Sequence, residues 1–237
     1  MRFGETLALS AVDLSVPGAS SLAVVGPNGS GKSTLLGALA GTITPSAGTF
    51  SIAGAPPAYV LQSTVVDPSL PIRVVDAVSL ARYPSLGLFR PFRRSDRQAV
   101  QRALERLDVS HLADRQLHEL SGGQRQRVLV AQGLAQESDV LLLDEPVIGL
   151  DLVTQGMILA VIDEEVAAGR TVVVTTHSLD DARRCDQVIL LATAPIAVGT
   201  PDEVLTEEYL RKAFGGRAMR MGDEMLLDDP HHHDHVH

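Results

Sequence analysis

Tryptophan is absent from this 237-residue chain, aromatic residues make up only 3% of it, and it has a single cysteine, Cys185. One thiol cannot form an internal disulfide, which excludes the disulfide-framed secreted class and fits a reducing compartment. Long hydrophobic runs are also missing: the longest, Val188 to Val198, contains Pro195 and is too short to span a bilayer. Glu5 and Asp13 interrupt what would be the apolar centre of a signal peptide. Basic residues are in the minority, 20 Lys and Arg against 29 Asp and Glu, for a formal net charge of −9. Binding driven by counterion release needs clustered cations, so no nucleic-acid partner is expected. What is present is apolar enough, at 45% hydrophobic residues, to fill the core of one large domain or two small ones.

The most informative segment is Gly26-Pro27-Asn28-Gly29-Ser30-Gly31-Lys32-Ser33-Thr34. It lies between an apolar run, Leu22 to Val25, that reads as a buried strand, and a helix-compatible run, Lys32 to Ala40, that Gly41 can end. Gly29 and Gly31 let the backbone curl so that successive N–H groups face an anion. The helix dipole adds partial positive charge and Lys32 a full one. Ser33 offers a hydroxyl to Mg²⁺, and the whole predicts binding of a nucleoside triphosphate.

Around this loop, alternation over residues 7–16, with Thr49 to Ile52 and Tyr59 to Leu61, predicts short half-buried strands. From about Val74 to Gln136 the pattern is helical: Val74 to Arg82, Ser95 to Asp108 with Ser95 and Gln98 in capping-box spacing, and Gly123 to Ala135. Pro84 to Pro91 reads as a loop. Val140 to Leu143 and Thr171 to Val174 suit strands buried on both faces of a parallel sheet, separated by a helix from Leu152 to Ala168. Val188 to Leu191 and Ile196 to Val198 form a closing strand pair, and Glu203 to Phe214 a last helix. The division expected is 1–62 with 137–222 as the nucleotide-binding core, 63–136 as a helical insert, and 223–237 as a disordered acidic, histidine-rich tail. Arginines crowd the insert (Arg82, Arg90, Arg93, Arg94, Arg97, Arg102, Arg106) and read first as a solvated face.

Two further segments carry chemistry. Val140 to Leu143 runs into Asp144-Glu145-Pro146, which puts two carboxylates at the carboxyl end of a buried strand, where open α/β sheets bind ligands. Asp144 suits the shell of a Mg²⁺ bridging the β- and γ-phosphates, and Glu145 can hold the attacking water. Leu120-Ser121-Gly122-Gly123-Gln124 leads into a helix as a second anion-binding N-terminus, without a lysine.

With these motifs, over about residues 3 to 216, the chain resembles the nucleotide-binding subunits of ATP-binding cassette (ABC) transporters. The resemblance implies an α/β fold of the P-loop NTPase type, with a mostly parallel core sheet, an N-terminal antiparallel β subdomain and a helical subdomain insert. It implies that Gly26 to Thr34 is the Walker A loop, Gln62 the Q-loop glutamine and a Mg²⁺ ligand with Ser33 and Asp144, Leu120 to Gln124 the signature, Val140 to Asp144 Walker B, and Gly149-Leu150-Asp151 the D-loop. His177 would be the switch histidine on the γ-phosphate, and Phe3 the ring that stacks on adenine. Two copies would pack head to tail, so that Ser121, Gly122 and Gly123 of one cap the phosphate held by Lys32 of the other. ATP and Mg²⁺ are the implied cofactors. An integral permease, and indirectly an extracellular substrate-binding protein, are the implied partners at the cytoplasmic face of the membrane.

The cargo is addressed by two features. His231, His232, His233, His235 and His237 follow Asp223, Glu224, Asp228 and Asp229, a mixture of imidazole and carboxylate that suits Zn²⁺. The run Asp144 to Asp151 and the segment Arg82-Tyr83-Pro84 are similar to ATPases of zinc and manganese importers, the second feature being shared with siderophore importers. The expectation is a metal importer, zinc before manganese, with an iron-chelate importer as the alternative. A non-transport ATPase acting on ribosomes or DNA is disfavoured by the acidic balance and by the lack of a second cassette or a long coiled-coil insertion.

Overall fold

A computed structural model describes residues 1–3, 6–62, 69, 71–83, 91–215, 218–221 and 224–227, with residues 2, 3, 6, 218–221 and 224–227 described by backbone alone. Residues 84–90 of the expected loop and the histidines from His231 to His237 lie outside the described residues, as does the ring of Phe3. The chain forms two compact units, residues 1–51 with 173–237, and residues 52–172.

The first unit contains β1 (Arg2–Phe3), β2 (Thr6–Leu7), β3 (Ser21–Val25), α1 (Lys32–Leu39), the end of β6 (Thr171–Thr176), α6 (Leu179–Arg183), β7 (Gln187–Ala192), β8 (Ala194–Gly199), α7 (Pro201–Val204), α8 (Glu207–Phe214), β9 (Ala218–Met221) and β10 (Glu224–Leu227). Strands β3 and β7 pair in parallel from Leu22↔Gln187 to Val25↔Leu190, and β8 pairs antiparallel to β7. Such parallel strands, covered on both faces, are continuously apolar: Leu22, Ala23, Val24, Val25, Ile189, Leu190 and Leu191 are all fully buried. Each buried Leu, Ile or Val contributes about 1.5–3 kcal/mol relative to exposure, an upper bound because the unfolded chain already hides some surface.

The alternation expected over residues 7–16 appears in burial only over residues 11–16, and not in hydrogen bonding. Leu9 is buried, then Val12, Leu14 and Val16 are half-buried while Asp13 and Ser15 are exposed, yet only Thr6–Leu7 is a strand, paired with β1. Ala11 adopts φ 52, outside the extended region, which breaks any continuous ladder there. Residues 49–52 likewise form no strand. The last helix is two helices. Glu203 turns back to cap α7 through Thr200 N and Oγ1, both at 2.9 Å, and Thr206 starts α8 by accepting from Tyr209 N at 3.4 Å. Strands β9 and β10 pair antiparallel, so part of the stretch read as acidic tail is strand.

The second unit contains β4 (Ala58–Val60), α2 (Val74–Leu80), α3 (Arg94–Arg106), α4 (Gly122–Ala135), β5 (Val140–Asp144), α5 (Leu152–Ala167) and the start of β6. Helix α4 packs on β4 and β5 through Gly133, where a Cβ would stand 2.5 Å from Val60 Cγ2 and 3.1 Å from Leu141 Cδ1. Gly133→Ala gains about 1 kcal/mol of helix propensity, but overpacking costs about 1–3 kcal/mol. The variant should therefore melt below the wild type, and a thermal melt checks it.

Helix α3 does not start on Ser95. Its N-cap is Arg93, whose N–H donates to Asp96 at 2.8 Å, and Asp96 is itself pulled in by Arg82. Of the arginines read as a solvated face, Arg93, Arg94, Arg97, Arg102 and Arg106 are exposed, with Arg102 paired to Glu137 and Arg106 to Glu164 and Glu165, while Arg82 is drawn inward onto Asp96 and Glu137. Glu165 is fully buried and takes Arg170 as well, the pairing that a buried carboxylate requires.

Candidate nucleotide site

In the first unit, β3 delivers the glycine loop to the N-terminus of α1. Gly29 and Gly31 have φ 78 and φ 100, a left-handed region that suits glycine. Gly26 needs its missing side chain for a different reason. A Cβ there would lie well inside contact distance of the Leu191 carbonyl oxygen and 2.6 Å from Ser30 Oγ. The turn after β7 also holds the loop, since Thr193 N donates to Ser30 O at 3.0 Å while Thr193 O accepts from Ser10 N at 2.8 Å. Thr193 does this at φ 69, costly for a β-branched residue.

Among the described residues, helix α1 has no side-chain cap, and it has no acid in its first turn, so neither takes up its N-terminal N–H groups. Lys32 is buried, and its ammonium folds back onto Gly26 O at 2.8 Å and Pro27 O at 3.4 Å. Asn28, Gly29 and Ser33 are exposed, Pro27 and Thr34 half-buried, and the buried Ser30 Oγ has no hydrogen-bond partner among the described residues. His177, half-buried, follows β6 directly. Thr176 Oγ1 accepts from Ser178 N at 3.0 Å and Ser178 Oγ from Asp181 N at 3.2 Å, which fixes the backbone on its C-terminal side. Burial pushes the Asp181 carboxyl up.

In the second unit, β4 and β5 run parallel with Val60 opposite Leu143, so two residues further on Gln62 is level with Glu145. The side chains meet: Gln62 Nε2 donates to Glu145 Oε2 at 3.1 Å. Glu145 adopts φ 46, an uncommon conformation for a residue with a Cβ, while Asp144 before it is buried at the end of the strand. Tyr59, which no sequence motif marks, has its phenol raised to about 12 by burial, then by the charge of Asp144 and a hydrogen bond with it. The only clue was its register beside β5, which spacing alone does not reveal.

Ser121 is the N-cap of α4, which starts at Gly122, one residue before the position expected. Ser121 Oγ accepts from Gln124 N at 3.3 Å, and Gln124 Oε1 accepts from Ser121 N at 3.1 Å, a reciprocal capping box. Ser121 and Gly122 are exposed, and among the described residues a Cβ on Gly122 would meet nothing within 4 Å. Gly123 is backed by α5: its Cβ would be 3.5 Å from Thr154 Oγ1 and 3.8 Å from Asp151 Oδ2. Asp151 caps α5, accepting from Val153 N at 3.1 Å, Thr154 N at 3.0 Å and Thr154 Oγ1 at 2.8 Å. The bonds from Thr154, backbone first, hold its carboxyl below the ordinary carboxylate range. A lowered pKa stabilises above the unfolded value and loses that contribution as pH falls through the folded one. Asp151→Asn keeps the cap without the charge, so its deficit in melting temperature should be present at neutral pH and vanish in acid; melts across pH check this.

Among the described residues no group of three or more His, Cys, Asp and Glu side chains could hold a metal ion. The oxygen donors of Ser33, Gln62 and Asp144 are of the hard type that Mg²⁺ takes, alongside substrate phosphates.

Residues 9–148 match the ABC transporter family. The chain is 38% identical over 230 residues to the manganese transport system ATP-binding protein MntA of Synechocystis sp., covering 93% of this chain and 88% of that one. It is 39% identical over 215 residues to the zinc transport system ATP-binding protein TroB of Treponema pallidum, covering 87% and 80%. Among solved structures, the ADP conformation of MJ1267, an ATP-binding cassette of an ABC transporter, matches with a TM-score of 0.74 at 26% identity, covering 91% and 95%. The dimeric structure of MJ0796, a bacterial ABC transporter cassette, matches with a TM-score of 0.72 at 26% identity, covering 82% and 90%.

Proposed function

The chain belongs to the ABC transporter family, and we propose that it is the ATP-hydrolysing subunit powering an importer for a transition-metal ion, zinc or manganese. The observation that carries this reading is the presence in one chain of two glycine-flanked helix N-termini, at Lys32 and at Gly122, only the first of which has a lysine. One triphosphate needs one lysine, so the lysine-free N-terminus at Ser121 serves the phosphate held by a second copy, head to tail.

In this reading Lys32 leaves its two carbonyls for the β- and γ-phosphate oxygens, and the first-turn N–H groups of α1 take the rest of the charge. Ser33, Gln62 and Asp144 would hold Mg²⁺, which would supply positive charge to the phosphates. Glu145 orients the attacking water, and its contact with Gln62 ties that carboxylate to the same strand ends. His177 hydrogen-bonds the γ-phosphate, Phe3 stacks on adenine, and Ser121, Gly122, Gly123 and Gln124 of the other copy close the pocket. Asp151 supports them by fixing the start of α5 behind Gly123.

Among the described residues no helix is long and apolar enough to cross a membrane. We assign the crossing to an integral permease and place this chain on its cytoplasmic face, with residues 63–136 as the helical part that meets it and a substrate-binding protein on the far side. The histidines from His231 to His237 are assigned to Zn²⁺ as a modulating tail. Deleting residues 228–237 should leave ATP turnover intact, as a phosphate-release assay would show. The experiment that tests the function is copurification with a membrane subunit, followed by ATP-dependent uptake of zinc or manganese into proteoliposomes. Copurification with ribosomal or DNA fractions would favour the non-transport reading. Uptake of an iron chelate but not of the free ions would favour the alternative cargo.

A further inference from the structure

Arg82 has no place in the site described above, yet its side chain, 11% exposed, is engaged on every side. It donates to Asp96 Oδ1 at 3.1 and 3.2 Å, to Ala135 O at 2.9 Å, to Gln136 O at 3.3 Å and to Glu137 Oε2 at 2.8 Å. Ala135 and Gln136 are the last residue and the C-cap of α4, whose terminal carbonyls have no partner inside the helix. A guanidinium there satisfies them and complements the negative end of the helix. Asp96 sits in the first turn of α3, and Glu137, at φ 56, is also held by Arg102 at 2.9 Å. One side chain, arising just after α2, thus ties the C-terminal end of α4 to the start of α3.

The other end of α4 is Ser121. We propose that Arg82 is a positioning residue for the Ser121–Gly123 anion cradle, setting the tilt of α4 from its far end; this rests on the two-copy reading given above. A helix of 14 residues is about 21 Å long, so a tilt of about 5° moves its N-terminus by about 2 Å. A misplacement of about 1 Å in a reacting assembly costs about a hundredfold in rate. Arginine is needed because its planar fork reaches carbonyls and carboxylates together, which an ammonium does not.

The test is a double-mutant cycle in the full chain with Arg82→Ala, Ser121→Ala and both, reading ATP turnover at saturation and the affinity of the isolated copy for a fluorescent ATP analogue. Arg82→Ala should lower turnover by about 10- to 100-fold with analogue affinity unchanged, and the double variant should be no slower than Ser121→Ala alone. Arg82→Lys carries the same cycle if the alanine variant fails to fold. Undiminished turnover in the Arg82 variant, or penalties that multiply in the double variant as a merely structural role would give, would overturn the inference and leave the two-copy reading standing. Full turnover in Ser121→Ala would overturn both.

Discussion

Glu145→Gln is expected to bind ATP as the wild type does and to turn it over about 10² to 10⁴ times more slowly, a barrier increase of about 3–5 kcal/mol. The amide keeps the volume and the neighbour of the carboxylate, since glutamine can still meet Gln62, but it no longer accepts a proton or holds water through a charge. The left-handed backbone at Glu145 fits this role, because strain of this kind persists where the surroundings fix a residue's direction. The loss should therefore fall on turnover and not on nucleotide affinity. Turnover within a few-fold of wild type would remove Glu145 from the chemistry.

Lys32→Ala is expected to fail earlier. The ammonium supplies a full charge at the α1 N-terminus, and a hydrogen bond from a charged donor contributes about 1.5–3 kcal/mol, so ATP affinity should fall about 10- to 100-fold. The substitution also strips the buried Gly26 carbonyl of its donor, so the loop loses part of its own support. Equilibrium binding of a fluorescent nucleotide separates the two variants: Glu145→Gln should saturate at wild-type concentrations and Lys32→Ala should not. On gel filtration with ATP, the first should accumulate as a dimer and the second should stay monomeric.

Much of the arrangement behind these expectations is legible in the sequence because strand, loop and helix follow one another without a tertiary decision. Leu22 to Val25 and Lys32 to Ala40 reappear as β3 and α1 almost residue for residue, and the strand ending in Asp144 is where its apolar run predicts it. The misses share a cause. Period-two burial, present only over residues 11–16, describes faces, and only a partner strand would turn it into a ladder; Ala11 at positive φ interrupts the extended backbone there. Ser95 and Gln98 have capping-box spacing, but the ion pair with Arg82 draws Asp96 into the first turn and moves the start of α3 back. Tyr59 beside Asp144 and Thr193 against Ser30 are contacts across long sequence separations, set by strand register and turn geometry that no local pattern encodes.

The central claim is that each pocket is completed by a second copy, and subunit mixing tests it most directly. Copies carrying Lys32→Ala and copies carrying Ser121→Arg should each be inactive alone. A mixed pair retains one pocket in which Lys32 of one copy faces Ser121 of the other. Combining the two variants should restore ATP turnover that neither shows by itself. If the mixture stays as inactive as its components while mixed dimers form, both elements act within a single copy and the shared pocket is contradicted.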